Sequence, residues 1–561
     1  MSDEYVRKDH FGGNIILTND SLKGSSSYRQ MAREIQIHHF RYPGGTVTEK
    51  ATWDNGGLDR IFGEPAEPGS PDYVVTIREA LQFSVEKEAG LTVVVPTFQF
   101  FDQSTQSFDS AGFSEYLDAL SQAMIEHPRA KIRMLEIGNE YWQRISAKEY
   151  GAIANEQIPL LKNFIQEMSE KISGWQQPDI GLQAGVQWRA TQDASGIWQP
   201  VGVRESEEIA GMLTVDSRGL VSTVVQHSYP DATRKMQWQE DWALEPMRAY
   251  TTIEGFRSDL KFALTEYNVS PLTATGVHQA AVWIEQLSSR IASGVGEVHH
   301  WGMNYKWLSS KLYDAKLSPG ETEEGTIITK ATPTGQVFDI AEASLLGKRV
   351  ISDSEASDQL TVGHGVTLTG FSDQAQKVIF AFNGSPQKST ISWEELQGGT
   401  HVTVHHLVDA DSPVTAWFDE SIPSSLPPGR IADARGDMKV LSGDAAPERI
   451  EVSPSEMVVL VLTKPGTPLV IEGAHNVTDP RTKMTDDHIV GGTSNDILRG
   501  HVGDDVIMGK DGNDLITAGK GADSVDGGTG HDVIFSGIGA DTINAGPGAD
   551  MVIAAGGDEL W

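Results

Sequence analysis

Two apolar runs of the 561-residue chain end in a carboxylate flanked by polar and aromatic residues: Met134-Leu-Glu-Ile-Gly-Asn-Glu140-Tyr-Trp and Phe262-Ala-Leu-Thr-Glu266-Tyr-Asn. Paired carboxylates suit glycoside hydrolysis. One, kept protonated, donates to the leaving oxygen, while the other attacks the anomeric carbon as an oxocarbenium-like state forms. Taken singly, each glutamate reads as a helix-cap or salt-bridge residue, and the tripeptide Gly138-Asn-Glu140 is weak by itself. The pair, each member closing an apolar run, is the stronger signal.

A second set of carboxylates recurs every nine residues. From Gly491 the chain reads GGTSNDILR, GHVGDDVIM, GKDGNDLIT, AGKGADSVD, GGTGHDVIF, SGIGADTIN and AGPGADMVI, then a worn copy, AAGGDELW. The sixth position is Asp496, Asp505, Asp514, Asp523, Asp532, Asp541 and Asp550, with Glu559 in the last copy. Calcium takes six to eight hard oxygen ligands in flexible geometry, so turns offering glycine carbonyls and one carboxylate suit it. A nonapeptide period marks a parallel β-roll or β-helix. The residues expected to stack in its core are Leu498, Ile507, Ile516, Val525, Ile534, Ile543, Val552 and Trp561. Without the ion such short repeats bury too little surface to fold, so folding is expected to be metal-linked.

The elements that must position these groups follow from apolar periodicity. Strand candidates are Ile15 to Leu17, Ile37 to Tyr42, Leu91 to Val95, Ile132 to Ile137, Ile180 to Ala184, Val221 to Gln226, Phe262 to Thr265 and Val295 to His299. Helical stripes lie between them: Phe113, Leu117, Leu120 and Met124 share one face, and Ile158, Leu161, Ile165, Met168 and Ile172 share another. Eight strands alternating with helices predict an α/β fold, a (β/α)₈ TIM barrel, over 1–345, since no phosphate-binding glycine fingerprint follows the first strand. Glu140 and Glu266 then close the fourth and seventh strands, on the face where barrel loops converge. Short strands between Gly, Pro and Ser turns predict a β-sandwich over 346–465, a linker over 466–490 and the β-roll over 491–561.

Composition limits the partners. Lys and Arg number 44 against 78 Asp and Glu, a net charge of -34, which repels nucleic acid and anionic membranes. Neither nucleic acid binding nor membrane insertion is expected, because no run approaches the ~20 apolar residues of a membrane span. The absence of cysteine excludes disulfides, a thiol nucleophile and Cys-ligated zinc. Met1 to His10 is charged and carries no apolar h-region, so a conventional signal peptide is not expected.

Residues 491–561 resemble RTX (repeats-in-toxin) proteins. In that family two nonapeptides form one coil and calcium sits between the turns of repeats n and n+2. The resemblance therefore implies shared ions for Asp496 with Asp514, Asp505 with Asp523, Asp514 with Asp532, Asp523 with Asp541, and Asp532 with Asp550. It also implies a secreted, extracellular protein exported by type I secretion machinery. The family's export signal normally lies beyond the repeats, whereas this chain stops at Trp561.

Residues 10–465 resemble retaining glycoside hydrolases of clan A, near the α-L-arabinofuranosidase, β-xylosidase and heparanase-like β-glucuronidase families. The carriers are Arg41-Tyr-Pro-Gly-Gly45, Gly138-Asn-Glu140, His227-Ser-Tyr229, Glu266-Tyr-Asn268 and Trp301. The resemblance implies a barrel packed beside a β-sandwich, with Glu140 as acid/base and Glu266 as nucleophile. It further implies that Asn139 bonds the sugar 2-hydroxyl, that Arg41 and Tyr229 position Glu266, that His227 supports the acid/base side and that Trp301 gives a sugar ring an apolar platform. In a retaining enzyme the two carboxyl groups stand roughly 5 Å apart, with Glu140 the member of higher pKa; a separation well beyond about 6.5 Å points to inversion.

Other readings stay open. A calcium-dependent polysaccharide-binding or adhesion protein could carry an idle barrel, and β-rolls also accompany lyases and epimerases, whose usual cores lack βα alternation. Trp53, Trp142, Trp188 and Trp198 are consistent with sugar subsites and with packing, and Lys50, Arg60 and Arg189 with uronate or sulfate contacts. No loop spells out a particular sugar.

Overall fold

The computed structural model describes the chain except for residues 1–4, 17–19, 24–25, 45–57, 64–73, 187–189, 193–197, 231–243, 270–275, 304–311, 316–328, 394–399, 410–435, 444–447, 474–485, 556 and 561. Gly45, Lys50, Trp53, Trp188, Arg189 and Trp561 lie outside the described residues.

Eight parallel strands close a barrel: β1 Gly12–Ile16, β2 His39–Gly44, β3 Gly90–Val95, β4 Lys131–Ile137, β5 Asp179–Gln183, β6 Thr223–Ser228, β7 Lys261–Tyr267 and β8 Glu297–His300. Parallel strands are buried on both faces, hence the unbroken Gly-Leu-Thr-Val-Val-Val of β3, buried throughout. Helices cover the outside. In α1, Ser110–Glu126, Phe113, Leu117, Leu120 and Met124 face inward as their spacing predicts, and Asp109 caps the first turn. In α2, Ala147–Lys171, the buried stripe includes Ile158, Leu161, Ile165 and Met168, and Ser146 and Glu149 form a capping box.

Inside the barrel the side chains are layered. Met134, Val225 and Ala263 form a small apolar layer at mid-height. Polar groups fill both ends: Asn14, Arg41, Glu136 and Thr265 toward the mouth, and His39, Glu297 and His299 toward the floor. A register shift shapes the mouth. Gln226 pairs with Leu264 but His227 pairs with Glu266, so β7 carries one extra residue at Thr265. Such a bulge re-aims the side chains beyond it, and here both Thr265 and Glu266 turn inward.

A second layer of strands follows: β9 Arg349–Ile351, β10 Val366–Ser372, β11 Gln376–Asn383, β12 His401–Asp409, β13 Gly436–Ser442 and β14 Met457–Thr463, ordered β9-β10-β11-β14-β12-β13 in one sheet. One face packs on a three-stranded sheet through Ile379, Ile391, Trp393, Val404, Ile450 and Leu460. The other packs on the barrel helices α3, Gly276–Ala292, and α4, Pro333–Leu345, through Phe371, Phe380, Met457 and Val459. The run Met457-Val-Val-Leu-Val-Leu is apolar at every position because both faces of β14 are covered.

The same sheet continues into the C-terminal β-roll. Strand β13 pairs with His488–Val490, then Val506–Met508, Ser524–Asp526, Thr542–Asn544 and Glu559–Leu560 follow at the edge of the coil. A second parallel sheet runs Val470–Glu472, Ile497–Val502, Leu515–Lys520, Val533–Ile538 and Met551–Ile553. Leu498, Ile507, Ile516, Val525, Ile534 and Ile543 are buried between the sheets, and Val552 is half-buried.

Two sequence expectations shift here. The stretch expected as a linker, 466–490, contains the roll's first coil: Val470 pairs with Ile497, and His488 with Val506. In the worn last copy one residue is missing from the turn, so Ile543 pairs with Leu560, which takes the place expected for Trp561.

Candidate active site

Arg41 is the hub of the barrel mouth. Fully buried on β2, it donates Nε and Nη2 to the two carboxylate oxygens of Glu136 (2.7 and 2.8 Å), Nη1 to Glu266 Oε1 (2.8 Å) and Asn14 Oδ1 (3.2 Å), and Nη2 to Asn139 Oδ1 (2.8 Å). Two buried carboxylates around one guanidinium keep it firmly charged, raising Arg41 despite its burial. Burial opposes ionisation of Glu136, but the charge and hydrogen bonds of Arg41 prevail, with help from His227, and hold it down to about 2.

Glu266 is gripped at both oxygens. Tyr229 donates its hydroxyl to Oε2 at 2.5 Å while Arg41 holds Oε1. Burial, reinforced by Glu266 and Glu140, pushes the Tyr229 hydroxyl far above its ordinary range, so it stays a donor.

Glu140 reaches the same point from β4. Gly138 has φ +71°, and a Cβ there would meet the Thr97 side chain. Glu140 itself adopts the left-handed region, φ 50° and ψ 53°, uncommon for a side-chain-bearing residue and typical of strained functional positions. Half-buried, it accepts from Gln143 Nε2. His227 stands between the two glutamates: Nδ1 lies 3.3 Å from Glu140 Oε1 and 3.4 Å from Glu266 Oε2. The carboxylate oxygens and the imidazole nitrogen all lie within 4.8 Å of one another. Burial disfavours the imidazolium, yet the charge of Glu266 and the nearness of Glu136 and Glu140 outweigh it and raise His227 to about 9. The mouth therefore gathers two basic side chains, Arg41 and His227, around Glu136, Glu140 and Glu266.

Arg41, Asn139, Glu140, His227, Tyr229 and Glu266 come together at this mouth. Asn139 is buried, and its Nδ2 has no hydrogen-bond partner. Trp301 stands edge-on to Tyr229, ring centroids 6.1 Å apart, with its backbone carbonyl held by Asn268 Nδ2 at 2.7 Å. Trp142 packs edge-on to His227 at 5.9 Å. Arg60, on the short helix Leu58–Phe62, is half-buried. Glu136 was not legible as a site residue; its signal was a carboxylate in the middle of an apolar strand, two positions from the layer residue Met134.

The roll carries the second cluster. The backbone N–H of each sixth-position aspartate donates to Oδ1 of the aspartate 18 residues on: Asp496 to Asp514 (2.8 Å), Asp505 to Asp523 (2.9 Å), Asp514 to Asp532 (2.8 Å), Asp523 to Asp541 (2.9 Å) and Asp532 to Asp550 (3.0 Å). The other oxygen, Oδ2, of Asp505, Asp514, Asp523, Asp532 and Asp541 is buried without a partner. At Gly527 a Cβ would fall 2.8 Å from Asp532 Oδ2 and 2.5 Å from the Ala545 carbonyl, so the missing side chain leaves a gap walled by hard oxygens. Orphaned carboxylate oxygens facing carbonyls fit calcium. Burial, with added repulsion from neighbouring aspartates, raises Asp505 to about 8, Asp514 to about 7 and Asp523 to about 6.

The repeat pattern missed both ends of this ladder. Asp487 donates its N–H to Asp505 Oδ1 (2.8 Å), and a Cβ on Gly473 would fall 2.5 Å from both Asp487 Oδ2 and the Gly500 carbonyl, the arrangement found at Gly527. Its signal was a position nine residues before Asp496. At the other end Asp558, not Glu559, accepts from the N–H of Asp541 (3.2 Å), because the last copy is a residue short.

Residues 484–516, 500–534 and 517–552 match the model of the RTX calcium-binding nonapeptide repeat, so the C-terminal region carries RTX repeats. No curated protein sequence matches the chain. Similar solved structures include a family 51 α-L-arabinofuranosidase from Bifidobacterium longum, with 13% identity and TM-score 0.48 over 82% of this chain and 97% of that one. A family 30 endoxylanase from Clostridium papyrosolvens aligns with 10% identity and TM-score 0.43 over 82% and 98%. A family 44 xyloglucanase from Paenibacillus polymyxa, solved with xyloglucan, aligns with 10% identity and TM-score 0.44 over 82% and 97%. Among the described residues no helix is long and apolar enough to cross a membrane.

Proposed function

We propose that the protein is a secreted retaining glycoside hydrolase that cleaves an extracellular polysaccharide by double displacement, with calcium folding the roll that accompanies its barrel. The observation that carries this reading is the convergence of Glu140 and Glu266 on one nitrogen of His227, with carboxylate oxygens within 4.8 Å. Retaining enzymes hold their carboxyl groups roughly 5 Å apart, while inverting ones leave room for a water.

Glu266 is the nucleophile. Arg41 and Tyr229 aim it, and its attack on the anomeric carbon breaks the glycosidic bond as Glu140 protonates the leaving oxygen. Esterified Glu266 is neutral and Glu140 is then anionic. The Nδ1–H of His227, placed nearly equally between them, follows the negative charge to Glu140. Glu140 next takes a proton from water, the water attacks the anomeric carbon, and Glu266 leaves with its charge restored. Asn139 offers its unpartnered Nδ2 to the sugar 2-hydroxyl, and Trp301 provides an apolar face for a sugar ring. The catalytic unit is the barrel of 1–345, flanked by the sandwich of 346–465. Type I secretion machinery exports the chain, and Asp496, Asp505, Asp514, Asp523, Asp532, Asp541 and Asp550 would hold calcium in the roll.

The test is turnover of a panel of polysaccharides and aryl glycosides in calcium-containing buffer, with product configuration read by NMR. Retained configuration, and a loss of at least ~10³-fold in Glu266→Ala, are expected. Binding without turnover by the wild type, or unchanged turnover in Glu266→Ala, would overturn the reading.

A further inference from the structure

The floor of the barrel carries a cluster that the mouth chemistry does not use. His39 on β2 and His299 and Glu297 on β8 bring one nitrogen or oxygen each within 4.8 Å of the others, and both histidines are fully buried. The hydrogen bonds dictate what each nitrogen can do. His39 Nε2 lies 2.8 Å from the Asp9 carbonyl, which only accepts, so Nε2 carries the proton. Nδ1 is then a bare lone pair. It is buried, has no hydrogen-bond partner, and faces Glu297 Oε1 at 3.7 Å, another acceptor.

His299 Nε2 closes the third side with a hydrogen bond to Glu297 Oε1 at 2.7 Å, so an ion here would take the place of the proton on Nε2, while His299 Nδ1 is buried without a partner. Arg133 binds the far oxygen, Oε2, at 3.0 Å, leaving Oε1 turned to the imidazoles.

We propose that His39 Nδ1, His299 Nε2 and Glu297 Oε1 form a binding site for a divalent transition ion, with zinc as its chemical type, which staples β2 to β8 across β1 at the barrel floor. Two imidazoles and one carboxylate are a zinc-type donor set, whereas calcium prefers oxygen alone. A tetrahedral ion with bonds near 2.0–2.1 Å places its ligand atoms roughly 3.3 Å apart, between the 3.7 and 2.7 Å measured here. The surroundings match a metal's outer shell. The Asp9 carbonyl fixes the tautomer of His39 and Arg133 orients Glu297, as partners of ligating groups do. Gly12 on β1 makes the room, since a Cβ there would collide with the His39 ring. Asp9 and Arg133, joined by an ion pair at 2.9 Å, keep side-chain exposures of 36% and 32%.

The test uses the full chain, stripped of metal and reloaded with calcium, and titrates it with Co²⁺ as a spectroscopic probe. One equivalent should give a visible d–d band that Zn²⁺ displaces, and Zn²⁺ should raise the barrel's Tm at saturating calcium. Both signals should vanish in His39→Asn and in His299→Gln, with Glu140→Gln as a control for cobalt held at the mouth. Absence of a band in the wild type overturns the site, as does a band that survives in both histidine variants or disappears in Glu140→Gln. Because the wild-type titration decides by itself, a variant that fails to fold leaves the outcome readable.

Discussion

At the barrel mouth Glu136 and Glu266 are buried against Arg41, while in the roll Asp505, Asp514 and Asp523 are buried against other aspartates. Removing a carboxylate from water is unfavourable unless a counter-charge or donors replace the solvent. In the barrel the protein supplies that charge itself, and Glu136 is held down to about 2. In the roll it supplies only half of what each carboxylate needs: Oδ1 meets a backbone N–H, Oδ2 meets nothing, and Asp505 rises to about 8. One region is preorganised by its own sequence, and the other waits for an ion from solution.

Calcium removal should separate the two regions most sharply. Each ion bound at a hundredfold excess over its Kd adds about 2.7 kcal/mol, and the roll holds at least five such positions in series. Chelation should abolish the roll's β signal in circular dichroism and open 491–561 to protease, while the barrel keeps its own melting transition. Because β13 pairs with the first coil, the sandwich should loosen at that edge. A roll that stays protected in chelator would break the comparison.

The converse experiment removes the barrel's internal cation. Arg41→Met removes the guanidinium paired with both buried Glu136 and Glu266, which should destabilise the barrel by about 3–5 kcal/mol. Urea titration at saturating and at low calcium should show the same loss. A loss below about 1 kcal/mol, or one that added calcium repairs, would mean that the mouth is not self-sufficient.

How much of this was legible follows from how local each signal is. Glu140 and Glu266 were readable because each ends an apolar run, and the roll because its period is fixed and short. Glu136 was not, because its partner Arg41 lies 95 residues away in sequence and meets it only across the closed barrel. The bulge at Thr265, which turns Glu266 inward, leaves no mark in an alternating pattern. The first coil lacks the glycine pattern and pairs with strand β13, where Asp487 is tied to the Val440 N–H at 2.6 Å.

A smaller effect concerns pH. His227 is raised from 6.5 to about 9 by the carboxylates around it, so its contribution is complete below pH 6.5 and fades as pH rises through about 9. The shift corresponds to ~3 kcal/mol. Barrel stability should fall across that window at fixed calcium, and His227→Gln should flatten the dependence. A slope unchanged in His227→Gln would place the titrating group elsewhere.

The smallest effect sits at the roll's open end, where the barrel's solution recurs within the roll. Asp558 accepts from the Ser536 hydroxyl (2.7 Å), the Ala555 N–H (2.8 Å) and the Asp541 N–H (3.2 Å), and the Ser536 hydrogen bond leads in holding its carboxyl below the usual range. These are protein donors, and Ser536 stands where most upstream copies have glycine or alanine, so this carboxylate is satisfied without an ion. Asp558→Asn should therefore speed amide exchange at Asp541 and Ala555 alone, by the same factor at every calcium concentration that keeps the roll folded. Glu559→Gln, one residue on, should change nothing, since Glu559 pairs only as an exposed edge strand. If added calcium restores protection in Asp558→Asn, the end coil is closed by metal like the rest, and the boundary between the two kinds of carboxylate falls at the end of the roll rather than inside it.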